Sequence, residues 1–242
     1  ISSMDNVLSG IAKKLYKNNI QFYVREPLSM KDLERINIKS TLIPDSVFYY
    51  SEKIDNIYKN SNNDLSNYFA VSKSMLPMIQ DSFFKDKLDA YLEIIIKISE
   101  KSNLSPIFLV KDSEDKSLIG FKKYFKNAKV ANKDYSFSEI QNLISKCNFL
   151  ISGRYHHLIF ACNTSTNICC LSSSSHKIEG LVKLINDQAN MEIPVFDPTN
   201  IRAENKVILD YCLEQSIKIP SWQQNYFKIQ LIDGVQRILS EI

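Results

Sequence analysis

A chain of 242 residues, at roughly 150 residues per domain, corresponds to one or two domains and can bury a core without disulfides or a structural metal. Hydrophobic residues at 44% and charged residues at 24% exclude disordered and fibrous classes. Lys+Arg 30 against Asp+Glu 27 leaves +3, too balanced to indicate nucleic-acid binding.

The first periodic segment, with Val7, Ile11 and Leu15 on one face, predicts an amphipathic helix over 5–17. Because the chain opens on Ile1 inside that pattern, an N-terminal portion of its first domain is expected to precede it. A strand at Phe22–Arg25, a helix at 29–36 and a strand at Thr41–Ile43 follow. Together these make residues 1–60 the trailing part of an N-terminal α/β domain. The polar stretch Glu52–Ser66 reads as a linker. Residues 61–242 alternate short β-rich runs with helical periodicity, the signature of a doubly wound, mainly parallel sheet. Its strands are expected at Tyr68–Ser72, Ile107–Val110, Phe149–Ser152 and Ile168–Leu171. Its helices are expected at 82–101, 118–125, 137–146, 158–162 and 177–185, with two more beyond Glu204. Ser136 and Glu139 form a capping box before the helix at 137.

Two scarcities direct attention. Glycine numbers 5, about 2% of the chain against a usual 7% or so, so each is expected where the backbone needs one. The three histidines, His156, His157 and His176, all fall within 21 residues. The five cysteines, Cys147, Cys162, Cys169, Cys170 and Cys212, form no CxxC pair and lie mainly in apolar runs. This argues against a disulfide framework or zinc site, and no metal is expected; Cys162, Cys169 and Cys170 read as buried thiols in a reducing compartment. With no signal peptide and no apolar run of about 20 residues, the cytoplasm is the expected location and no transmembrane segment is expected. The sequons at Asn103 and Asn163 read as chance.

Ligands of open α/β sheets bind beyond the carboxyl ends of the strands, where helix N-termini present free N–H groups to anions. Ser152-Gly-Arg-Tyr-His156 occupies such a place. Gly153 is expected to permit a sharp turn, Arg154 offers a planar fork for carboxylate or phosphate, and His156 exchanges a proton near neutral pH. The next strand ends in Ser172–Ser175, His176 and Lys177, again at a helix start. Two adjacent strand ends thus offer anion donors and a titratable group, which fits a small, multiply charged anion. Each motif alone has a plain structural reading: a packed or exposed His157, a serine turn, a surface lysine.

The segments Phe149–Ala161, Ile168–Leu171 and Ser175–Leu181, with Gly153-Arg-Tyr-His156 and Lys177-Ile-Glu-Gly-Leu181, resemble the C-terminal signature of the polysaccharide pyruvyl transferase family. Val24-Arg-Glu-Pro-Leu-Ser29 and Pro44-Asp-Ser-Val-Phe48 resemble its upstream segments, so the likeness covers about 22–187. The resemblance implies a GT-B-like α/β architecture with ligand in the interdomain cleft, and no cofactor. It also implies transfer of a pyruvyl group from phosphoenolpyruvate to a sugar as a cyclic ketal, in exopolysaccharide or cell-envelope synthesis. By position, His156 is implied as the general acid and Arg154 as holder of phosphate or carboxylate. Arg25 would hold the remaining anionic group from the other domain, and Lys177 with Ser174 and Ser175 would neutralise the departing phosphate. The acceptor is implied to be a sugar or glycan, or its lipid-linked precursor, which would bring the protein to the inner face of the membrane. Two alternatives remain open at this point: a GT-B glycosyltransferase using a nucleotide sugar, and a degenerate, non-catalytic binding protein of the same fold.

Overall fold

The computed structural model describes residues 3–48, 65–73, 82–111, 115–132, 134–215 and 222–240. The expected linker falls outside these apart from Leu65 and Ser66. Strand β1 (Phe22–Val24), helix α2 (Pro27–Arg35) and strand β2 (Ser40–Leu42) follow helix α1 (Ser3–Lys17). β1 and β2 pair in parallel as a separate two-stranded sheet. α2 begins at Pro27, where a missing N–H costs nothing, and Glu26 caps it by accepting from the Leu28 and Ser29 amides at 2.7 and 2.9 Å.

The main sheet contains β3 (Tyr68–Ser72), β4 (Ser105–Leu109), β5 (Lys129–Ala131), β6 (Phe149–Ser152), β7 (Asn167–Leu171) and β8 (Val195–Phe196). Their order is β5-β4-β3-β6-β7-β8 and every pairing is parallel. The helices of this part are α3 (Ser82–Ser102), α4 (Lys116–Phe121), α5 (Phe137–Lys146), α6 (Tyr155–Asn163), α7 (Lys177–Ala189), α8 (Ile201–Asp210) and α9 (Trp222–Ser240). Alternate strand residues face opposite layers. Ala70, Leu109, Leu150, Ile168 and Cys170 pack with α5, α6 and α7, whereas Phe69, Val71, Phe108, Ile151, Cys169 and Leu171 pack with α3 and α8. The five thiols are free and buried, and burial pushes that of Cys147 up to about 12.

The capping box of α5 is present: Ser136 N donates to Glu139 Oε2 at 2.7 Å and Glu139 N to Ser136 Oγ at 3.3 Å. Two strands escape the sequence reading. β5 and β8 are the sheet's edges, only three and two residues long and each followed by a polar residue, as edges tolerate. The helix expected over 118–125 divides into α4 and a 3-10 turn at Lys122–Tyr124, and α6 begins at Tyr155 rather than Leu158.

Glycine behaves differently from expectation. The described residues with left-handed φ are Asn19, Asn37, Asn103, Asn190 and Ser165, and no described glycine is among them. Asparagine follows α1, α2 and α3 and caps α7 in that conformation, taking the place that glycine fills in most proteins. Gly10 and Gly120 face open space. Gly180 and Gly234 instead permit close approach: a Cβ on Gly180 would lie 1.9 Å from Glu26 Oε2, and one on Gly234 would lie 2.8 Å from Ile43. Gly180 thus lets α7 rest against α2. α9 returns to the N-terminal unit, with the Phe227 ring 4.5 Å from that of Phe48. Asn163 is buried and donates to the Val47 carbonyl at 3.0 Å, a structural use of one expected chance sequon.

Candidate functional site

The strand order reverses between β3 and β6, which places a crevice beyond their carboxyl ends. Ser72 and Ser152 meet there, their hydroxyls 2.6 Å apart. The Ser152 hydroxyl accepts from Arg154 N at 2.9 Å, and Tyr91 donates to the Ser72 carbonyl at 3.1 Å. This pins the turn into α6. Gly153 is buried in it but takes no left-handed φ, so the turn rests on the serine pair rather than on glycine's conformational freedom. Because α6 starts at Tyr155, His156 and His157 occupy its first turn about 100° apart. His156 keeps 38% of its side-chain exposure, while His157 is buried.

Arg25, at the end of β1, reaches this turn from the other sheet. Its guanidinium carbon sits 4.1 Å from the centre of the Tyr155 ring, a cation–π contact, and its Nη1 donates to Asp45 Oδ2 at 2.8 Å. The same Asp45 oxygen is 3.9 Å from His156 Nε2, and Asp45 Oδ1 accepts from Val47 N at 3.0 Å. Asp45 therefore fixes its turn and also joins Arg25 to His156. Burial lowers the His156 pKa; Asp45 opposes this, while Lys111, Arg25 and Lys177 reinforce it. Burial likewise holds the Lys177 ammonium below its ordinary value, with Arg25, Arg154 and Lys111 acting in the same direction. These mutual effects mark a concentration of positive charge around a half-exposed imidazole.

Arg154 is engaged more deeply than its expected role requires. Its Nη2 donates to Asp115 Oδ1 at 2.7 Å, and Lys111 N donates to the other carboxylate oxygen at 2.9 Å. Asp115 is fully buried and the Arg154 side chain retains 11% exposure. Ser174 and Ser175 are exposed in the turn before α7, where the Ser173 hydroxyl donates to the Ser175 carbonyl at 2.9 Å. His176 leaves the crevice for α2, with Nε2 at 3.4 Å from the Ser29 hydroxyl and 3.6 Å from carboxylate oxygens of Glu26 and Asp32.

The structure thus gathers Arg25, Arg154, His156 and Lys177 around one crevice, with Ser174 and Ser175 at the start of α7. Sequence reasoning missed Asp115, Lys111 and Tyr155. Asp115 and Lys111 belong to the charged run Lys111–Lys116 after β4, whose location at a strand end is the one available signal; nothing local separates Asp115 from Asp112 or Glu114. Tyr155 lies inside the recognised motif, but its ring meets Arg25 only through tertiary packing. Among the described residues, no group of three His, Cys, Asp or Glu side chains could hold a metal ion, and no helix is long and apolar enough to cross a membrane.

Among solved structures, the chain is similar to the UDP-GlcNAc 2-epimerase of Methanocaldococcus jannaschii, determined in complex with UDP-GlcNAc and UDP, at 13% identity and a TM-score of 0.59. The match covers 92% of this chain and 61% of that one. It is also similar to Phytolacca americana UGT2, determined with UDP-2fluoro-glucose and pterostilbene, at 10% identity and a TM-score of 0.41, over 90% of this chain and 49% of that one. The chain therefore spans about three fifths and one half of their lengths. At 13% identity the likeness to the epimerase is one of fold, and the fold is α/β and GT-B-like. No curated protein matches the chain. The decisive correspondence runs through the site itself: residues 2–175, which include Arg25, Asp45, Arg154 and His156, match a single family. The chain belongs to the polysaccharide pyruvyl transferase family.

Proposed function

We propose that this protein transfers a pyruvyl group from phosphoenolpyruvate to two hydroxyls of a polysaccharide sugar, or of its lipid-linked precursor, forming a cyclic ketal. The observation that carries the proposal is the half-exposed His156, 3.9 Å from Asp45 and surrounded by the charges of Arg25, Lys111 and Lys177 at the switch point of the sheet. A donor bearing both a carboxylate and a phosphate matches several cations better than a single-charge ligand does.

Phosphoenolpyruvate must gain a proton at C3 as a sugar oxygen bonds to C2. His156, as imidazolium, gives that proton, and the neutral ring then accepts the proton of the attacking hydroxyl. The C2–phosphate bond breaks as a second sugar hydroxyl bonds to C2, and that hydroxyl's proton leaves with phosphate. Diol and donor become ketal and inorganic phosphate, with no cofactor in the balance.

The electrostatics suit this order of events. In the free protein burial depresses the His156 pKa and the charges of Lys111, Arg25 and Lys177 add to it; a bound anion neutralises that added part. Donor binding therefore favours the charged acid where its proton is needed. Arg25 and Lys177 are assigned to the two anionic ends of the donor, with Ser174, Ser175 and the first amides of α7 receiving the departing phosphate. Arg154, held by Asp115, fixes the turn that carries His156 and adds its charge to the crevice.

The test supplies phosphoenolpyruvate with glycan acceptors and follows phosphate release together with the mass of the product. Ketal formation that disappears in His156→Ala, with the circular dichroism spectrum retained, is the expected result. Turnover with a nucleotide-sugar donor alone refutes the proposal.

A further inference from the structure

Beside the crevice, a second cavity of about 510 Å³ opens at the carboxyl ends of β4 and β5. Its size is that of an ordinary small-molecule site. Its wall includes Asn132, Tyr135, Phe137, Ile140 and His157. Tyr135 and Phe137 are 44% and 57% exposed, so two ring faces are open on one rim. The Phe137 ring lies 6.5 Å from that of His156, so whatever rests on Phe137 lies next to the proton donor.

His157 supplies an independent sign of a ligand. It is 93% buried, being 7% exposed, and its Nδ1 is buried with no hydrogen-bond partner. A buried polar atom left unpaired is disfavoured, and the imidazole that carries it forms part of the cavity wall, where a hydrogen bond from a ligand to the ring offsets that cost. Burial, helped by Arg154, Lys111 and His156, holds this imidazole's pKa down at about 3, so it is neutral near pH 7 and exchanges hydrogen bonds with uncharged groups.

We propose that this cavity is the acceptor subsite: a hexopyranose ring stacks its C–H face on Phe137 and Tyr135 and directs a hydroxyl to the His157 imidazole. The inference rests on the pyruvyl-transfer reading and deepens it, since the ring stacked on Phe137 is the one whose neighbouring hydroxyls lie beside His156. An uncharged, hydroxyl-rich ring suits these walls: two aromatic faces, the Asn132 amide and a neutral imidazole.

Saturation-transfer NMR on the protein, without phosphoenolpyruvate, tests this using the methyl pyranosides of glucose, galactose, mannose and N-acetylmannosamine. The expected result is saturation transfer to the ring protons of at least one glycoside. Phe137→Ala and His157→Phe are each expected to weaken binding about tenfold, the equivalent of one stacking contact or one hydrogen bond. Phe137 is exposed, so its variant folds even if His157→Phe does not. No transfer from any glycoside, undiminished binding in Phe137→Ala, or displacement of the glycoside by uridine monophosphate overturns the proposal. The two readings fail separately. Glycoside binding that depends on Phe137 without phosphoenolpyruvate turnover defeats only the reaction, whereas turnover with an unchanged acceptor KM in Phe137→Ala defeats only the subsite.

Discussion

The Arg154–Asp115 pair permits a prediction that separates a structural arginine from a ligand-binding one. Asp115 is fully buried, with one carboxylate oxygen bonded to Arg154 Nη2 at 2.7 Å and the other to Lys111 N at 2.9 Å. Asp115→Asn keeps the volume but removes the charge, and its amide nitrogen must face one of these two donors. Removing one partner of a buried ion pair destabilises by about 3–5 kcal/mol, a large share of a total stability of about 5–15 kcal/mol. For a chain of this size, that lowers the melting temperature by about 6–20 °C. Urea unfolding with the m-value monitored is the assay, and a loss below about 1 kcal/mol refutes the pairing argument. The double variant Asp115→Leu with Arg154→Met replaces both charges by apolar groups and recovers the part of that stability lost to the unpaired guanidinium, while Lys111 N stays without this acceptor. If Arg154 also holds the donor, phosphoenolpyruvate binding stays lost in the refolded double variant. Recovery of stability together with normal donor affinity reduces Arg154 to a structural residue.

Four further outcomes follow from single residues. Gly180→Ala forces a Cβ to within 1.9 Å of Glu26 Oε2. Glu26 cannot withdraw without releasing the Leu28 and Ser29 amides, so a loss of about 1–3 kcal/mol is expected in denaturant unfolding. Gly10→Ala, with nothing within 4 Å in a helix, should instead gain up to about 1 kcal/mol by the same measurement. His157, held at about 3 when folded against the ordinary 6.5, binds no proton in the folded state at pH 5, whereas the unfolded chain does. Stability therefore falls as pH drops below about 6.5, by up to about 1.4 kcal/mol per unit down to about 3, and His157→Phe flattens that limb. In proton NMR, Lys177→Met is expected to raise the His156 pKa by removing one of its depressing charges, and a fall or no change contradicts the electrostatic account.

Much of this organisation is written locally and is legible in the residues. The helix over 137–146 announces itself through Ser136 and Glu139, and β3, β6 and β7 are apolar runs buried on both faces. The motif Gly153–His156 stands at a strand end, the place where open α/β sheets bind ligands. What escaped depends on residues distant in sequence. β5 and β8 are edge strands whose pairing is supplied by β4 and β7, so neither needs an apolar run of its own. Asp115 becomes a partner of Arg154 across 39 positions, and no periodicity distinguishes it from its acidic neighbours. Gly180 is legible as a rare glycine, but not as the space occupied by the Glu26 carboxylate.

Asp45 gives the clearest case of one residue serving both fold and chemistry. Its backbone carbonyl accepts from Phe48 N at 3.0 Å and its Oδ1 from Val47 N, so the side chain is fixed by its own turn. Its Oδ2 then faces Arg25 and His156 together, 2.8 and 3.9 Å away. A donor carboxylate competing for Arg25 must displace or share this oxygen. When it does, Asp45 is freed to interact more strongly with His156, and the attraction between carboxylate and imidazolium grows as the guanidinium turns to the donor. Asp45→Asn should therefore leave Arg25 more available while weakening the support for a charged His156. The expected signature is donor affinity retained or improved, with kcat lowered and the alkaline limb of its pH profile, where His156 loses its proton, moved to lower pH. Equal losses in donor affinity and kcat, with no movement of that limb, would show that Asp45 acts only through its turn.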